Sequence, residues 1–264
     1  MLTYSFFYPG KWTTIDSIRL PIQAKIMAKI GNYLLSDFYI DGELVEGSPN
    51  AMTKNQLEKY INSLSPGNIF FTDSENYVSS EFIPGKRKHA VIYLGSQKQT
   101  NNFFKGNELM INFLNTYYKI GDEKLIIDSS SHGVAIREYQ ELSNIKKVSF
   151  LIALSSFKIN RTKKDITTFL TYAIRQVGKN YDYDMITDND TSLYCSELIY
   201  EALKQIDIVL NIKQEIYGRE IILPSDVVKY ITTEGIPSKE FKFMFFIEKE
   251  NNLVQEQPLK ILEQ

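Results

Sequence analysis

The sequence predicts an α+β fold in which a small, mostly antiparallel sheet or half-barrel packs against helices. Two observations support this. Short apolar runs typical of strands follow the tripeptide Ser65-Pro66-Gly67, and segments with helical periodicity lie on both sides of them. The chain has 264 residues, of which 43% are hydrophobic and 23% charged, and no internal repeat. This is enough for one large domain or two small ones.

The first part of the chain is predicted to be helical. Apolar residues recur at helical spacing over residues 14–35, which predicts an amphipathic helix or helix pair. Residues 41–49 carry three acidic residues, two glycines and a proline, and predict a loop. Thr53 and Gln56 have the spacing of a capping box, so we expect a short helix that ends near Leu64.

Four apolar runs predict the strands of the sheet: residues 69–72, 90–94, 125–127 and 148–154. Residues 96–124 separate the second run from the third. They begin with polar residues and then show apolar residues at helical spacing, so we expect an inserted helix between two neighbouring strands.

The second half returns to helical patterns. Residues 165–177 carry one apolar face and are followed by Gly178, a common helix stop, and residues 195–206 predict another helix. The tetrapeptide Leu223-Pro224-Ser225-Asp226 predicts the start of a short helix with Ser225 as N-cap. Residues 241–248 predict a closing strand, and residues 251–264 a loose C-terminal tail.

Composition argues against several classes of protein. Thirty Lys and Arg against 32 Asp and Glu give a net charge of -2, which disfavours a nucleic-acid partner. One cysteine excludes an intramolecular disulfide, and with only two histidines no Cys/His cluster at zinc-site spacing can be written, so we expect no structural zinc. The motifs imply no other metal and no organic cofactor.

The sequence also shows no membrane-targeting feature. The N-terminus carries neither a basic leader nor a sustained apolar stretch, and the longest apolar run elsewhere, residues 148–157, has about half the length of a membrane span. We expect no integral membrane association and a cytoplasmic protein, unless a specialised machine exports it.

Cys195 lies where a helical pattern begins, with Asp190, Thr191 or Ser192 available as N-cap. The amides and dipole at a helix N-terminus stabilise a thiolate, so Cys195 is a candidate nucleophile. The same residue is also part of an apolar stripe at helical spacing, which favours a buried structural thiol. The stripe comprises Cys195, Leu198, Ile199, Ala202 and Leu203.

A nucleophilic thiol needs a base, and the chain offers two histidines. His89 begins the second predicted strand, where an imidazole can reach a thiol on another element, although it is also the kind of surface histidine expected after Lys86, Arg87 and Lys88. His132 follows three serines in a turn-like stretch and is expected to be exposed.

These motifs form an ordered series along the chain: residues 65–71, 89–95, 126–128, 133–134, 181–183, 194–198 and 223–226. The series resembles the YiiX/YaeF-like permuted papain-fold amidases and peptidases of the NlpC-type superfamily, over roughly residues 65–229. In that family a glycine-opened strand precedes a histidine-led strand, an acidic or polar residue on the following strand orients the histidine, and the cysteine comes later at a helix N-terminus. The order is inverted relative to papain.

The resemblance implies a permuted papain-like fold and assigns catalytic roles to three residues. Cys195 becomes the nucleophile, His89 the base and Asp128 the third member that orients the imidazole. The 96–124 insertion is longer than the family pattern, so Asp122 and Glu123 stay open as alternatives for the third role. Asp128 is also the residue type expected in a turn that leads into three serines.

The surroundings of the cysteine suggest substrate contacts. As the first residue of a helix, Cys195 offers its backbone amide as an oxyanion donor. Tyr194 is predicted to shape that site, or simply to pack. The resemblance also places Tyr181 and Tyr183 beside the substrate, although an aromatic and acidic loop is equally typical of a solvated edge.

The resemblance predicts a cysteine peptidase or amidase-like hydrolase that cleaves an amide bond through an acyl-enzyme. Its substrate would be a small peptide, a glycopeptide such as a peptidoglycan fragment, or an amide-linked lipid. One alternative is lipid acyl transfer or thioesterase chemistry with the same dyad, as in lecithin:retinol acyltransferase-like proteins. In those proteins Asn-Cys-Glu-His would be expected where residues 194–197 read Tyr-Cys-Ser-Glu. Another is a catalytically silent binding module of the same fold.

The motif series suggests how the chain divides. We expect an N-terminal helical extension over residues 1–50, a permuted papain-like catalytic domain over residues 51–250, and the C-terminal tail over residues 251–264. The extension lies outside the motif series, so it is predicted to cover the cleft, bind a partner or extend the core.

Overall fold

The protein is described from a computed structural model. The residues described are 52–74, 87–141, 148–156, 162–183, 185, 191–211, 214–216, 219–250 and 253–259. The predicted helix over residues 14–35, the loop over residues 41–49, and hence the N-terminal extension lie outside them. The domain boundaries at residues 50 and 250 stay predictions.

The first described helix, α1, spans Lys54–Ile61 and begins with the predicted capping box. The Gln56 amide donates to the Thr53 hydroxyl over 3.3 Å, and the Gln56 side-chain oxygen accepts the Thr53 amide over 2.9 Å. These two bonds satisfy amides that a helix start leaves without partners. The helix ends three residues before Leu64, which is itself buried in the core.

The strands follow in chain order: β1 Ile69–Ser74, β2 His89–Ser96, β3 Lys124–Ser130, β4 Gly133–Glu138, β5 Val148–Ser156, β6 Asn180–Tyr181, β7 Ser192–Leu193, β8 Gln214–Ile216, β9 Arg219–Ile221, β10 Phe241–Glu250 and β11 Leu253–Gln257. Within the described part of the chain, seven of them form one sheet in the order β11-β10-β5-β1-β2-β3-β4. Every neighbouring pair in this sheet is antiparallel. The α+β prediction is therefore confirmed, with a larger sheet than expected.

The five predicted strands are present as β1, β2, β3, β5 and β10. Two further strands of the seven-stranded sheet, β4 and β11, were not predicted, and neither were the short strands β6 to β9. Strand β4 follows a serine-rich turn and is only six residues long. Strand β11 pairs with β10 where a loose tail was expected, so that expectation is wrong for residues 253–257. It is polar and mostly exposed at the edge of the sheet, so its sequence lacks the apolar alternation that marks a half-buried strand.

The helices after α1 are α2 Gln97–Phe103, α3 Glu108–Asn115, α4 Lys163–Arg175, α5 Cys195–Lys204 and α6 Pro224–Tyr230. The insertion therefore contains two short helices rather than one, and Ser96 and Asn107 cap them. The N-cap of α6 is Leu223 rather than Ser225. Proline at the first helical position explains the shift, since its fixed φ suits that position and it has no amide to satisfy.

The core lies on the sheet, whose strand β2 is buried along its inner length. Helix α5 packs against β2 and β3 and also contacts α4 and α6. This packing brings the N-terminus of α5 to the strands that carry His89 and Asp128. Among the described residues, no helix combines the length and apolar character needed to cross a bilayer.

Candidate active site

Three neighbouring strands place charged side chains on the same face of the sheet. Asp128 on β3 lies opposite Ala135 on β4, so Arg137, two residues further along β4, is its diagonal neighbour on that face. On the other side, Ile92 of β2 lies opposite Ile127, and strand alternation puts His89 on the face of Asp128. The three side chains therefore form a row across β2, β3 and β4.

Asp128 is the centre of this row and is fully buried. Its Oδ2 lies 2.6 Å from Nε2 of His89, and its Oδ1 accepts a hydrogen bond from Nε of Arg137 over 3.0 Å. A second nitrogen of the same guanidinium bonds Oδ2. Burial alone would raise the pKa of Asp128, but the His89 hydrogen bond and the Arg137 charge lower it to about 2. Asp128 is therefore a buried carboxylate.

His89 contacts both Asp128 and Cys195. Burial favours the neutral imidazole, yet hydrogen bonds with Asp128 and Cys195 and the attraction of both groups raise its pKa from 6.5 to about 9. Since Nε2 donates to the Asp128 carboxylate, Nδ1 is the ring nitrogen left for the thiol. The imidazole is therefore hydrogen-bonded to Asp128 and also interacts with Cys195.

Cys195 is the first residue of α5 and is 3% exposed. The apolar stripe that follows Cys195 along α5 is buried. Cys195 therefore lies where the hydrophobic core meets the candidate site. The N-cap is Tyr194, not Asp190, Thr191 or Ser192. The expected cap was wrong because Ser192 and Leu193 form β7, which pairs in parallel with β6.

Hydrogen bonds hold the chain on both sides of the cysteine. The Ser129 hydroxyl donates to the Leu193 carbonyl over 2.5 Å, and the Ser196 hydroxyl donates to the Ile222 carbonyl over 2.7 Å. The Tyr194 hydroxyl accepts the Ile222 amide over 3.1 Å. Sequence reasoning missed Ser129 and Ser196, because their partners are backbone groups brought close only by the fold.

Tyr194 was predicted to contact substrate, but its side chain is 2% exposed. Its hydroxyl is used in the bond to Ile222, and burial raises the pKa of this phenol well above the ordinary value. In this structure the Tyr194 side chain therefore anchors the corner before α6 rather than lining a cleft. Of the two roles that the sequence left open for Tyr194, its burial favours packing.

Tyr181 and Tyr183, which were predicted to lie beside the substrate, form an aromatic pair. Their rings meet edge to face with centroids 4.8 Å apart, and both side chains are partly exposed. The Tyr183 hydroxyl donates to the Ser131 carbonyl over 3.4 Å. Burial raises the pKa of Tyr181 well above its ordinary value, and the Cys195 charge adds to this, so the phenol lies close to the thiol.

Glu197 is a buried acid one turn into the cysteine helix. Its Oε2 accepts the Tyr194 amide over 3.3 Å, which caps the helix from inside. Burial raises its pKa to about 8; the charges of Asp182 and Glu201 act in the same direction, while the Tyr194 hydrogen bond and Lys179 oppose the shift. At neutral pH the Glu197 carboxyl is therefore mostly protonated.

The other candidate residues lie elsewhere. Glu123 accepts the amides of residues 119, 120 and 121, so it closes the turn before β3, and Asp122 is exposed. His132 is exposed and has Ser131 as its ring partner. Of the three acids considered for the third role, Asp128 is the one that contacts His89. Arg137 was not singled out from the sequence, because its contact depends on the register between β3 and β4.

The described residues contain no group of three or more His, Cys, Asp or Glu side chains that could hold a metal ion.

A family model described as "Permuted papain-like amidase enzyme, YaeF/YiiX, C92 family" matches residues 63–244. The chain belongs to this family. The match confirms the resemblance found in the sequence, and it spans His89, Asp128 and Cys195.

The permuted papain-like fold of the C92 family accounts for the order in which the chain presents the site, with the histidine strand before the cysteine helix. A solved structure of the metalloprotein yiiX from Escherichia coli O157:H7 is similar at 12% identity and a TM-score of 0.46. That alignment covers 70% of this chain and 97% of the other. No curated protein sequence matches the chain significantly.

Proposed function

We propose that this C92 family member is a cysteine-dependent amidase or peptidase that cleaves an amide bond through an acyl-enzyme on Cys195. The observation that carries the proposal is the contact of His89 with both Cys195 and Asp128. A thiol, an imidazole and an orienting carboxylate in this order are the parts that nucleophilic catalysis by cysteine requires. The helix N-terminus adds a further preference for the thiolate.

Each side chain has a defined step in the proposed reaction. The Cys195 sulfur attacks the carbonyl carbon of the amide while the Cys195 backbone amide donates to the developing oxyanion. The His89 imidazolium gives its proton to the leaving nitrogen, the C–N bond breaks and a thioester remains. Water then attacks the thioester as His89 takes one proton from it, and the carboxylic acid and the thiol are released.

Asp128 supports these steps without reacting. Its pKa of about 2 keeps it ionised throughout, so it accepts from Nε2 in both halves of the reaction. This fixes the tautomer that presents Nδ1 to the sulfur and stabilises the imidazolium. Asp128 is therefore proposed as an orienting residue and not as a proton carrier.

The substrate proposed for the site is the amide of a small peptide, a glycopeptide or a lipid. The partly exposed, edge-to-face rings of Tyr181 and Tyr183 beside the thiol support a rim that contacts the acyl side of such a substrate. The family description, amidase, supports the amide in preference to an ester.

The proposal is tested by trapping the acyl-enzyme. With p-nitrophenyl acetate as the probe, intact mass spectrometry should detect one acetyl group on the wild type and none on Cys195→Ala. Alanine p-nitroanilides and peptidoglycan fragments then test amide cleavage, which Cys195→Ala should abolish. An acetylated Cys195→Ala protein, or amide turnover by that variant, would contradict the assignment of the nucleophile.

The same experiment separates hydrolysis from acyl transfer. If the thioester forms but decays only when a lipid amine or alcohol is added, the enzyme is a transferase with the same dyad. If no adduct forms and the thiol reacts like an ordinary one, the chain is a binding module of this fold. Either outcome replaces the hydrolase proposal.

A further inference from the structure

We propose that Arg137 is a positioning residue whose charge keeps the buried site neutral when the Cys195 thiolate and the His89 imidazolium are both formed. This inference rests on the proposed function, since it concerns the reactive state of the same thiol. Nothing in the sequence motifs includes Arg137, which lies on β4, one strand beyond the strand of Asp128.

The contact between Arg137 and Asp128 is a two-point fork. Nε bonds Oδ1 over 3.0 Å and a terminal nitrogen bonds Oδ2, the oxygen that also faces His89. The third nitrogen donates to the Glu141 carbonyl over 3.1 Å, which fixes the plane of the guanidinium. The side chain is 18% exposed, so water screens the ion pair only weakly. A lysine ammonium cannot reproduce this geometry.

Counting charges shows what the fork contributes. Without Arg137, the reactive state holds a carboxylate on Asp128, an imidazolium on His89 and a thiolate on Cys195, a net charge of one negative in a buried site. With Arg137 the sum is zero. Among the described residues, the Tyr181 and Tyr194 phenols interact with Cys195 and carry no charge at neutral pH, and Glu197 on the same helix is mostly protonated. The charges of Asp182 and Lys179 act on Glu197 with opposite sign, and they are the same in every variant compared below.

Removal of Arg137 should therefore disfavour the thiolate. A buried site with an excess negative charge resists a second anion, so the pH at which Cys195 loses its proton rises. The Asp128 carboxylate also loses the fork that holds its two oxygens, so the orientation of His89 weakens. A positioning role of this kind shows in the pH dependence of the thiol, which a residue that only supports the fold would leave unchanged.

The test measures iodoacetamide labelling of the single cysteine against pH by intact mass, with no substrate present. Arg137→Met should move the acid limb of the labelling profile up by about one pH unit, which is about tenfold slower labelling below the limb. Arg137→Lys should recover part of this shift, because it keeps the charge and loses the fork. Arg175→Met changes an exposed arginine at the end of α4 and should leave the profile unchanged.

A double variant separates charge balance from packing. Asp128→Asn together with Arg137→Met leaves His89 and Cys195 as a neutral pair, with an amide oxygen still able to accept from Nε2. The acid limb of the double variant should lie at the same pH as that of the wild type. This pH should be higher than in Asp128→Asn alone and lower than in Arg137→Met alone. If Arg137→Met does not fold because the buried Asp128 carboxylate has lost one of its two cationic partners, the comparison within the Asp128→Asn background still measures the effect of the Arg137 charge.

The inference is overturned if Arg137→Met labels with the wild-type profile, or if the Arg137 change leaves the limb in place in the Asp128→Asn background. Its failure is distinct from failure of the proposed function. If the wild-type thiol forms an acyl-enzyme but the acid limb of the labelling profile does not depend on Arg137, only the inference fails. Amide turnover that does not depend on Cys195 would remove the proposed function itself.

Discussion

Nε2 of His89 lies 2.6 Å from Oδ2 of Asp128, and the same oxygen receives the Arg137 fork. This sharing explains how a buried carboxylate stays ionised while it holds an imidazole, because two cationic partners offset the cost of burying one anion. It also directs the other ring nitrogen toward Cys195. The geometry therefore holds the His89 imidazole between an ionised carboxylate and the candidate nucleophile.

The first prediction concerns the titration of His89. Its imidazole should lose its proton near pH 9 rather than 6.5, because Asp128 and Cys195 stabilise the charged form. Cys195→Ser removes the sulfur contact and should lower the midpoint. The two histidine ring signals can be followed by NMR and assigned with His132→Gln. A His89 midpoint near its ordinary value would show that the three groups are not in contact.

The second prediction concerns Asp128→Asn. An asparagine still accepts from Nε2 but carries no charge, so the pKa of His89 should fall and the alkaline limb of activity should move to lower pH. We expect turnover near pH 8 to fall by about one to two powers of ten, less than the loss in Cys195→Ala. The readout is the pH profile of amide cleavage. A profile identical to that of the wild type would assign the third role to another residue.

The third prediction concerns Glu197. Its pKa of about 8 in the folded protein lies above its ordinary value of 4.5, so the folded state binds the extra proton and loses stability as pH rises through this window. Glu197→Gln keeps an oxygen for the Tyr194 amide and removes the titration. One pKa unit corresponds to about 1.4 kcal/mol. When the pH is raised from about 5 to about 8, the free energy of unfolding of the variant should therefore increase by at least about 1 kcal/mol relative to that of the wild type.

Urea unfolding at the two pH values measures this difference. Glu108→Gln is the control, because Glu108 is exposed and lies on a different helix, α3. An equal dependence on pH in both variants would mean that Glu197 does not titrate as described.

The fourth prediction concerns Gly133, whose φ is +81°. A Cβ at this position would lie 2.2 Å from the Lys179 carbonyl oxygen, which accepts the Val134 amide and leads into β6. Gly106 has φ +93° and open space around it, so Gly106→Ala reports the backbone cost alone. In thermal unfolding, we expect the loss of stability in Gly133→Ala to be larger than that in Gly106→Ala by about 1 kcal/mol or more. Equal losses in the two variants would contradict the close approach.

Much of the fold and of the site could be predicted from the sequence because the signals are local. Apolar runs mark β1, β2, β3 and β5; His89 and Asp128 adjoin two of these runs, and Cys195 begins a helical apolar stripe. The structure brings Cys195, His89 and Asp128 together, and their catalytic roles stay a prediction.

What the sequence did not predict depends on contacts between distant segments. Arg137 looks like a surface charge until the register of β3 and β4 places it beside Asp128. The β6 and β7 pairing overrides the capping preference of residues 190–192, and pairing with β10 makes a strand of the polar residues 253–257. The sequence left open whether Tyr194 shapes the oxyanion site or packs, because the backbone amide that its hydroxyl bonds is 28 positions away.

The most direct test of the central claim is the pH dependence of iodoacetamide labelling in the wild type and in His89→Ala, with His132→Ala as the control. Each adduct can be assigned to Cys195, the only cysteine in the chain. Rapid labelling of the wild type and of His132→Ala is expected well below pH 8, and it should be lost in His89→Ala because the imidazolium no longer stabilises the thiolate. Labelling that follows an ordinary thiol in all three proteins, or that requires denaturant, would contradict it.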